Sequence, residues 1–268
     1  MDQIQLILAT VLLGLVVLVA VWYVISMTGR KASVSRPTYL ILGITNSGKT
    51  SLFARWNDVA SDDAGEKWEE PIVTVSSMEA NYGQIRLPFS KPSIQKSFQL
   101  IDYPGHLKYF DLLQKLILNE ITLQRVKGVV FVVDSSQFKD SSHTVAKYLF
   151  NLLSVTERLH NGVDFLFAVN KTDLFDSTPV VRVRQMLEDD INSLIQNELT
   201  AIDKNNLDDN DDPVGTETLR EFWLSVVGSK AGKFTFDKLE GNMDFVPGSV
   251  VKGKLEMWEN WLDERVVN

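Results

Sequence analysis

The chain has no cysteine in its 268 residues. Disulfides and thiolate metal sites are therefore excluded, and the composition fits a reducing compartment. An excess of positive charge is missing too. Lysine and arginine number 27 against 35 acidic residues, a net charge of −8, which argues against nonspecific nucleic-acid binding; no direct nucleic-acid partner is expected. No internal repeat and no second folded domain are visible. With 44% hydrophobic and 23% charged residues, the chain is long enough and apolar enough to bury a core.

Charge is also absent from residues 4–27, an almost wholly apolar run. About 20 such residues match the ~30 Å hydrocarbon layer of a bilayer, so the run predicts a transmembrane helix. Trp22 and Tyr23 lie near its end, where amphipathic aromatics favour the interface. A cleaved signal peptide would need a basic leader and a shorter apolar stretch, but Asp2 leads and no lysine or arginine precedes the run. Arg30, Lys31 and Arg36 follow it, and positive charge stays cytoplasmic. The expected organisation is a lumenal stub at 1–3, a span at 4–27, a linker at 28–36 and a cytosolic domain at 37–268.

That domain opens with an apolar strand candidate, Tyr39-Leu40-Ile41-Leu42. Gly43-Ile44-Thr45-Asn46-Ser47-Gly48-Lys49-Thr50-Ser51 follows, leading into a helix with Leu52, Phe53 and Trp56 on one face. The pattern GxxxxGK[ST] between strand and helix is a phosphate-binding loop. Glycines let successive backbone N–H groups turn toward phosphate oxygens, and the helix adds its positive end. Lys49 would reach the β- and γ-phosphates, and the Thr50 hydroxyl would ligate Mg²⁺.

A second strand candidate over 97–101 ends at Asp102-Tyr103-Pro104-Gly105-His106. Asp102 would hold Mg²⁺ directly or through water. Gly105 offers a free N–H to a γ-phosphate and can move when that group leaves. This is the DxPG element of GTPases. His106 stands where such proteins keep the group that orients the attacking water; packing against a partner surface is the alternative.

Two further apolar runs end in polar residues: 128–133 before Asp134-Ser135-Ser136, and 165–169 before Asn170-Lys171-Thr172-Asp173. The latter is the NKxD guanine motif. The Asp173 carboxylate can accept hydrogen bonds from guanine N1–H and the exocyclic amine, a donor pair that adenine lacks. The Lys171 stem can cover a face of the base, and Asn170 can tie this loop to the phosphate loop. Two stations are less sharply marked. Thr74 is the choice for a mobile Mg²⁺ ligand, with Ser76 and Ser77 as rivals. Ser249 and Val250, after a short strand candidate over 243–246, are the choice for the last base-binding loop, with Gly228-Ser229-Lys230-Ala231 as the competing match.

Strands alternating with helices predict an open α/β sheet of the small-GTPase fold, mostly parallel and six-stranded, with helices on both faces and sites at the carboxyl ends of strands. Helices are expected over 109–125, 144–159, 181–201 and 255–266. Leu112, Leu116 and Leu123 carry the apolar stripe on the first, and Leu255, Trp258 and Leu262 on the last. Residues 81–87 and 97–101 suggest an antiparallel edge hairpin. The acidic stretch 203–213 reads as a solvated loop.

Taken together, the amino-terminal span, the Asn-Ser-Gly-Lys-Thr-Ser core, the Asp-aromatic-Pro-Gly-His element, the NKxD motif and the late Gly248-Ser249 loop before a tryptophan-containing helix resemble the β subunit of the signal recognition particle receptor, in its fungal form. The resemblance covers nearly the whole chain. It implies an endoplasmic reticulum membrane protein related to the ADP-ribosylation-factor branch of small GTPases. Its GTP-bound form would hold the amino-terminal domain of the receptor's α subunit, bringing ribosomes to the translocation channel. By position, Lys49, Thr50, Asp102 and Gly105 would read the triphosphate, and Asn170 and Asp173 the base. Hydrolysis is left open, so His106 as a catalyst is an expectation only. Two other roles stay open: a constitutive anchor with GTP as a structural cofactor, and a trafficking GTPase.

Overall fold

The computed structural model describes residues 36–59, 74, 77–121, 123–157, 162–201, 213–229 and 232–267, together with Leu12, Gly14 and Leu15. The chain divides into two units, residues 1–35 and 36–268. In the first, the three described residues are helical and exposed. The span expected over 4–27 otherwise lies outside the described residues, and among those described no helix is long and apolar enough to cross a membrane.

The second unit is built on one six-stranded sheet: β1 (Thr38–Leu42), β2 (Asn81–Leu87), β3 (Lys96–Asp102), β4 (Val126–Asp134), β5 (Phe165–Asn170) and β6 (Met243–Pro247). The spatial order is β2-β3-β1-β4-β5-β6, antiparallel only between β2 and β3. β1 and β5 are buried at every residue, which is why they read as nearly continuous apolar runs. The helices are α1 (Lys49–Val59), α2 (Phe110–Lys115), α3 (Phe138–Thr156), α4 (Val180–Ala201), α5 (Pro213–Val227) and α6 (Glu256–Val267).

On one face Leu52 and Trp56 of α1 meet Leu255 and, from α6, Trp258, Trp261 and Leu262, all over Tyr39, Ile41 and Val130. The other face is dominated by rings. Phe167 stacks on Phe245 at 4.2 Å, and Phe150 of α3 stacks on Trp223 of α5 at 4.8 Å. At the amino ends of β5 and β6, Arg265 closes a clamp. Its guanidinium bonds Asp164 at 3.0 Å and Asp244 at 2.9 Å while lying 3.6 Å over the Trp261 ring.

Several expected elements differ. The helix expected over 109–125 is broken: α2 passes into a π-helical segment, Leu116–Ile121, and a 3₁₀ turn, Leu123–Arg125. Leu112 is exposed, and Leu113, Leu116, Ile117 and Ile121 do the burying. Both the 113–116–117 and the 112–116–123 spacings fit a helical face, so spacing alone does not choose between them. α3 starts at Phe138 and not at 144, because the fully buried Phe138 belongs to its first turn. α5 had no counterpart in the sequence reading. Gly228, with φ +77°, ends it, so the competing match at 228–231 begins as a helix C-terminus. Residues 203–212 lie outside the described residues, and Pro213 already opens α5.

Candidate nucleotide-binding site

The phosphate loop joins β1 to α1. Gly43 has φ +136° and Gly48 φ +98°, conformations that side chains rarely adopt. A Cβ on Gly43 would strike the Val132 carbonyl, and one on Gly48 the Asn170 amide. Asn46 also has a positive φ, at 65°. Ser47 is buried, while Thr45 and Asn46 are exposed. Lys49 is buried, with Nζ donating to Ile44 O at 2.8 Å. Burial pushes its ammonium from the ordinary 10.5 down to about 8, against the opposing pull of Asp102. A cleft of about 400 Å³ lies here, lined by Thr45, Asn46, Gly48, Lys49 and Thr50 from the loop, Thr74, Ser77 and Met78 from the next segment, and Tyr103 to Gly105, His106, Lys108 and Tyr109 from the segment after β3.

Asp102 ends β3 and is fully buried. Oδ2 accepts the Thr50 hydroxyl at 2.8 Å and the Asn81 amide at 2.9 Å, whereas Oδ1 is buried with no partner. Burial raises its pKa, and the Asn81 and Thr50 bonds and the Lys49 charge oppose that rise. An orphaned carboxylate oxygen beside two hydroxyls suits a hard cation such as Mg²⁺. Among the described residues no three His, Asp or Glu side chains cluster to hold a metal. A single carboxylate plus hydroxyls matches the way Mg²⁺ sits when phosphate oxygens complete its shell. Of the candidates upstream, Ser77 Oγ lies 3.4 Å from Thr50 Oγ1, while Thr74 Oγ1 lies 3.3 Å from Ser51 Oγ. Ser76 lies outside the described residues.

Gly105 packs directly on the phosphate loop. A Cβ there would come within 2.5 Å of Gly43 O and of Lys49 Nζ, so only glycine allows this approach. His106 is exposed, and its Nδ1 accepts the Lys108 amide at 3.2 Å, capping the short turn Leu107–Tyr109.

The base-side loop follows β5. Asn170 Nδ2 donates to Ser47 O at 2.8 Å, and its Oδ1 accepts the amides of Lys171 at 2.8 Å and Val250 at 3.0 Å. One side chain thus binds the phosphate loop, its own loop and the loop after β6. Lys171, at φ 64°, donates to Asn46 O at 3.0 Å and pairs with Asp134. Thr172 bonds Gly248 O through both its amide and its hydroxyl, at 3.3 and 2.9 Å. Asp173 is exposed at this rim. The Ser249 amide faces Lys254 O at 3.2 Å.

Two residues outside the predicted set, Asp134 and Asn81, belong to this network, together with Ser77, one of the rivals to Thr74. Asp134 holds Lys171, and it also receives the Ser136 amide and hydroxyl at 3.0 and 2.7 Å. Asn81 and Ser77 bracket the metal-side oxygens. Asp134 ends an apolar strand, as Asp102 does, and that was its signal. Asn81 carries no local signal, because its place depends on its pairing with Asp102.

Comparison with known proteins identifies the family. Residues 34–243 match the family described as "Signal recognition particle receptor beta subunit". The signal recognition particle receptor subunit beta of Saccharomyces cerevisiae is 32% identical over 253 residues, spanning 94% of this chain and 93% of that protein. Among solved structures, the mammalian signal recognition particle receptor aligns with TM-score 0.62 at 24% identity, over 85% of this chain and 99% of that one. The SRb-GTP/SRX complex from Chaetomium thermophilum aligns with TM-score 0.61 at 22% identity, over 86% and 98%. The family match over most of the chain and the yeast relative's near full-length alignment establish that this chain belongs to the signal recognition particle receptor beta subunit family.

Proposed function

We propose that this chain binds GTP with Mg²⁺ at the rim formed by its phosphate loop, the end of β3 and the loops after β5 and β6. In the GTP form it would hold the amino-terminal domain of the receptor's α subunit at the endoplasmic reticulum membrane. The observation that carries this is the bond from Asn170 to Ser47 O, which fixes a guanine-type loop against a phosphate loop. The Chaetomium relative, solved as a GTP complex with SRX, supports both ligand and partner. Residues 4–27 would supply the anchor and 37–268 the cytosolic domain.

In this proposal the amides of Thr45 to Thr50 cradle the phosphates, and Lys49 exchanges Ile44 O for the β- and γ-oxygens. Asp102, Thr50 and one hydroxyl from Thr74 to Ser77 hold Mg²⁺, which when bound neutralises charge on the β- and γ-phosphates. The Gly105 N–H meets the γ-phosphate, so loss of that group releases the segment after β3 and the partner bound to it. Asp173 reads the guanine edge, Lys171 lies along the ring, and Ser249 and Val250 flank the base oxygen. His106 orients water, if hydrolysis occurs, as a donor. With Nδ1 accepting from Lys108, the neutral ring carries its proton on Nε2, so it is not placed to abstract one.

The test is direct. The full chain, purified in detergent, is denatured and the released nucleotide identified by chromatography. Guanine nucleotide near one per chain supports the proposal; ATP or no nucleotide overturns it. Capture of the α-subunit amino-terminal domain with GTP analogue but not GDP distinguishes a switch from a constitutive anchor with GTP as a structural cofactor.

A further inference from the structure

The register of β2 on β3 sets Asn81 opposite Asp102. One nitrogen of Asn81 spends both its protons inside this site: on Ser77 Oγ at 3.0 Å and on Asp102 Oδ2 at 2.9 Å. Thr50 donates to the same Oδ2 at 2.8 Å, and Ser77 Oγ stands 3.4 Å from Thr50 Oγ1. Two donors on one oxygen fix the rotation of a fully buried carboxylate and leave Oδ1 as the buried oxygen with no partner. The same amide holds the end of the upstream segment against the phosphate-loop helix.

We propose that Asn81 is a positioning residue for the metal half of the site: its side-chain amide orients Asp102 and keeps the Ser77 hydroxyl beside Thr50. This rests on the reading that the site takes Mg²⁺ with a guanine nucleotide. It assigns Asn81 no contact with nucleotide. Groups that orient metal ligands typically cost ten- to a hundredfold in metal affinity when removed. An asparagine that merely fastened the start of β2 to β3 would instead change stability and leave metal dependence alone.

The experiment loads the full-length chain in detergent with fluorescent GDP. Its dissociation rate is then followed as free Mg²⁺ is varied, for wild type, Asn81→Ala and Asn81→Leu, which nearly keeps the side-chain volume. The Mg²⁺ concentration giving half-maximal slowing should rise about tenfold or more in both variants, while the rate in EDTA stays within about twofold of wild type. Ser77→Ala should move the same curve in the same direction. A half-point unchanged in the asparagine variants overturns the proposal. So does a parallel acceleration in EDTA, or failure of both asparagine variants to fold, since either makes Asn81 a strand fastener. If wild type itself retains no guanine nucleotide, or shows no response to Mg²⁺, the underlying reading fails and takes this inference with it.

Discussion

Asp263 of α6 accepts the Phe89 amide at 2.7 Å, and its second oxygen accepts Ser90 at 2.8 Å. One buried carboxylate thereby ties the turn after β2 to the last helix, about 170 residues away in sequence. Asp263→Ala orphans both amides and should cost about 1–3 kcal/mol. For a domain of this size that lowers Tm by roughly 2–4 °C per kcal/mol, and thermal unfolding of purified variants checks it. An unchanged Tm would show that water satisfies those amides equally well.

Gly105 leaves no room for a methyl group between Gly43 O, Lys49 Nζ and the Ile44 carbonyl carbon. Gly105→Ala forces the segment to retreat and carries its N–H away from the γ-phosphate position. The preference for a GTP analogue over GDP should fall by about tenfold or more, equivalent to about 1.4 kcal/mol. Competition binding of the two nucleotides measures it, and an unaltered ratio would remove Gly105 from triphosphate recognition.

Burial holds Lys49 near 8 in the folded chain against an ordinary 10.5. The folded form therefore binds fewer protons than the unfolded form between these values, and stability rises with pH. This contribution is complete above about 10.5 and is lost as pH falls toward 8. Denaturant midpoints of EDTA-stripped protein should climb between pH 8 and pH 10, and Lys49→Met should flatten that slope. Nucleotide binding runs oppositely, since phosphate favours the charged form: affinity should fall above about pH 8, with proton uptake detectable by calorimetry in buffers of different ionisation heat.

Lys171 is held by Asn46 O on one side and Asp134 on the other. Lys171→Ala removes one of the two links between the base-side loop and the phosphate loop, leaving the Asn170 bond to Ser47 O, and nucleotide release should quicken by about tenfold, as loss of charge-assisted bonds implies. Asp134→Ala keeps the Asn46 contact and should show the smaller change. Stopped-flow release of a fluorescent nucleotide ranks the two.

Much of this was legible in the sequence because each element carried its own local signal. β1 and β5 are buried throughout and read as apolar runs broken only by Thr38 and Asn170 at their ends, and the glycines of the phosphate loop stand where the backbone demands a positive φ. What stayed hidden depends on distant partners. α5 follows an acidic stretch and contains Gly215, a poor helix former; its packing becomes evident only once Trp223 meets Phe150 and Phe234. Residues 109–125 have leucines enough for one straight helix. The π-helical segment changes the turn, and the burial of Leu113 and Ile117 decides which side faces the sheet. Asn81 is an unremarkable strand residue until β2 lies against β3. The choice among Thr74, Ser76 and Ser77 turns on side-chain position, which spacing alone does not encode.

The clamp at Arg265 has a mechanical consequence. It rivets the starts of β5 and β6 to α6 through Asp164, Asp244 and Trp261, at the edge of the sheet opposite the loops that would hold nucleotide. In the proposed GTP form, loss of the γ-phosphate would move the loops at the carboxyl ends of the strands while this riveted end keeps its place.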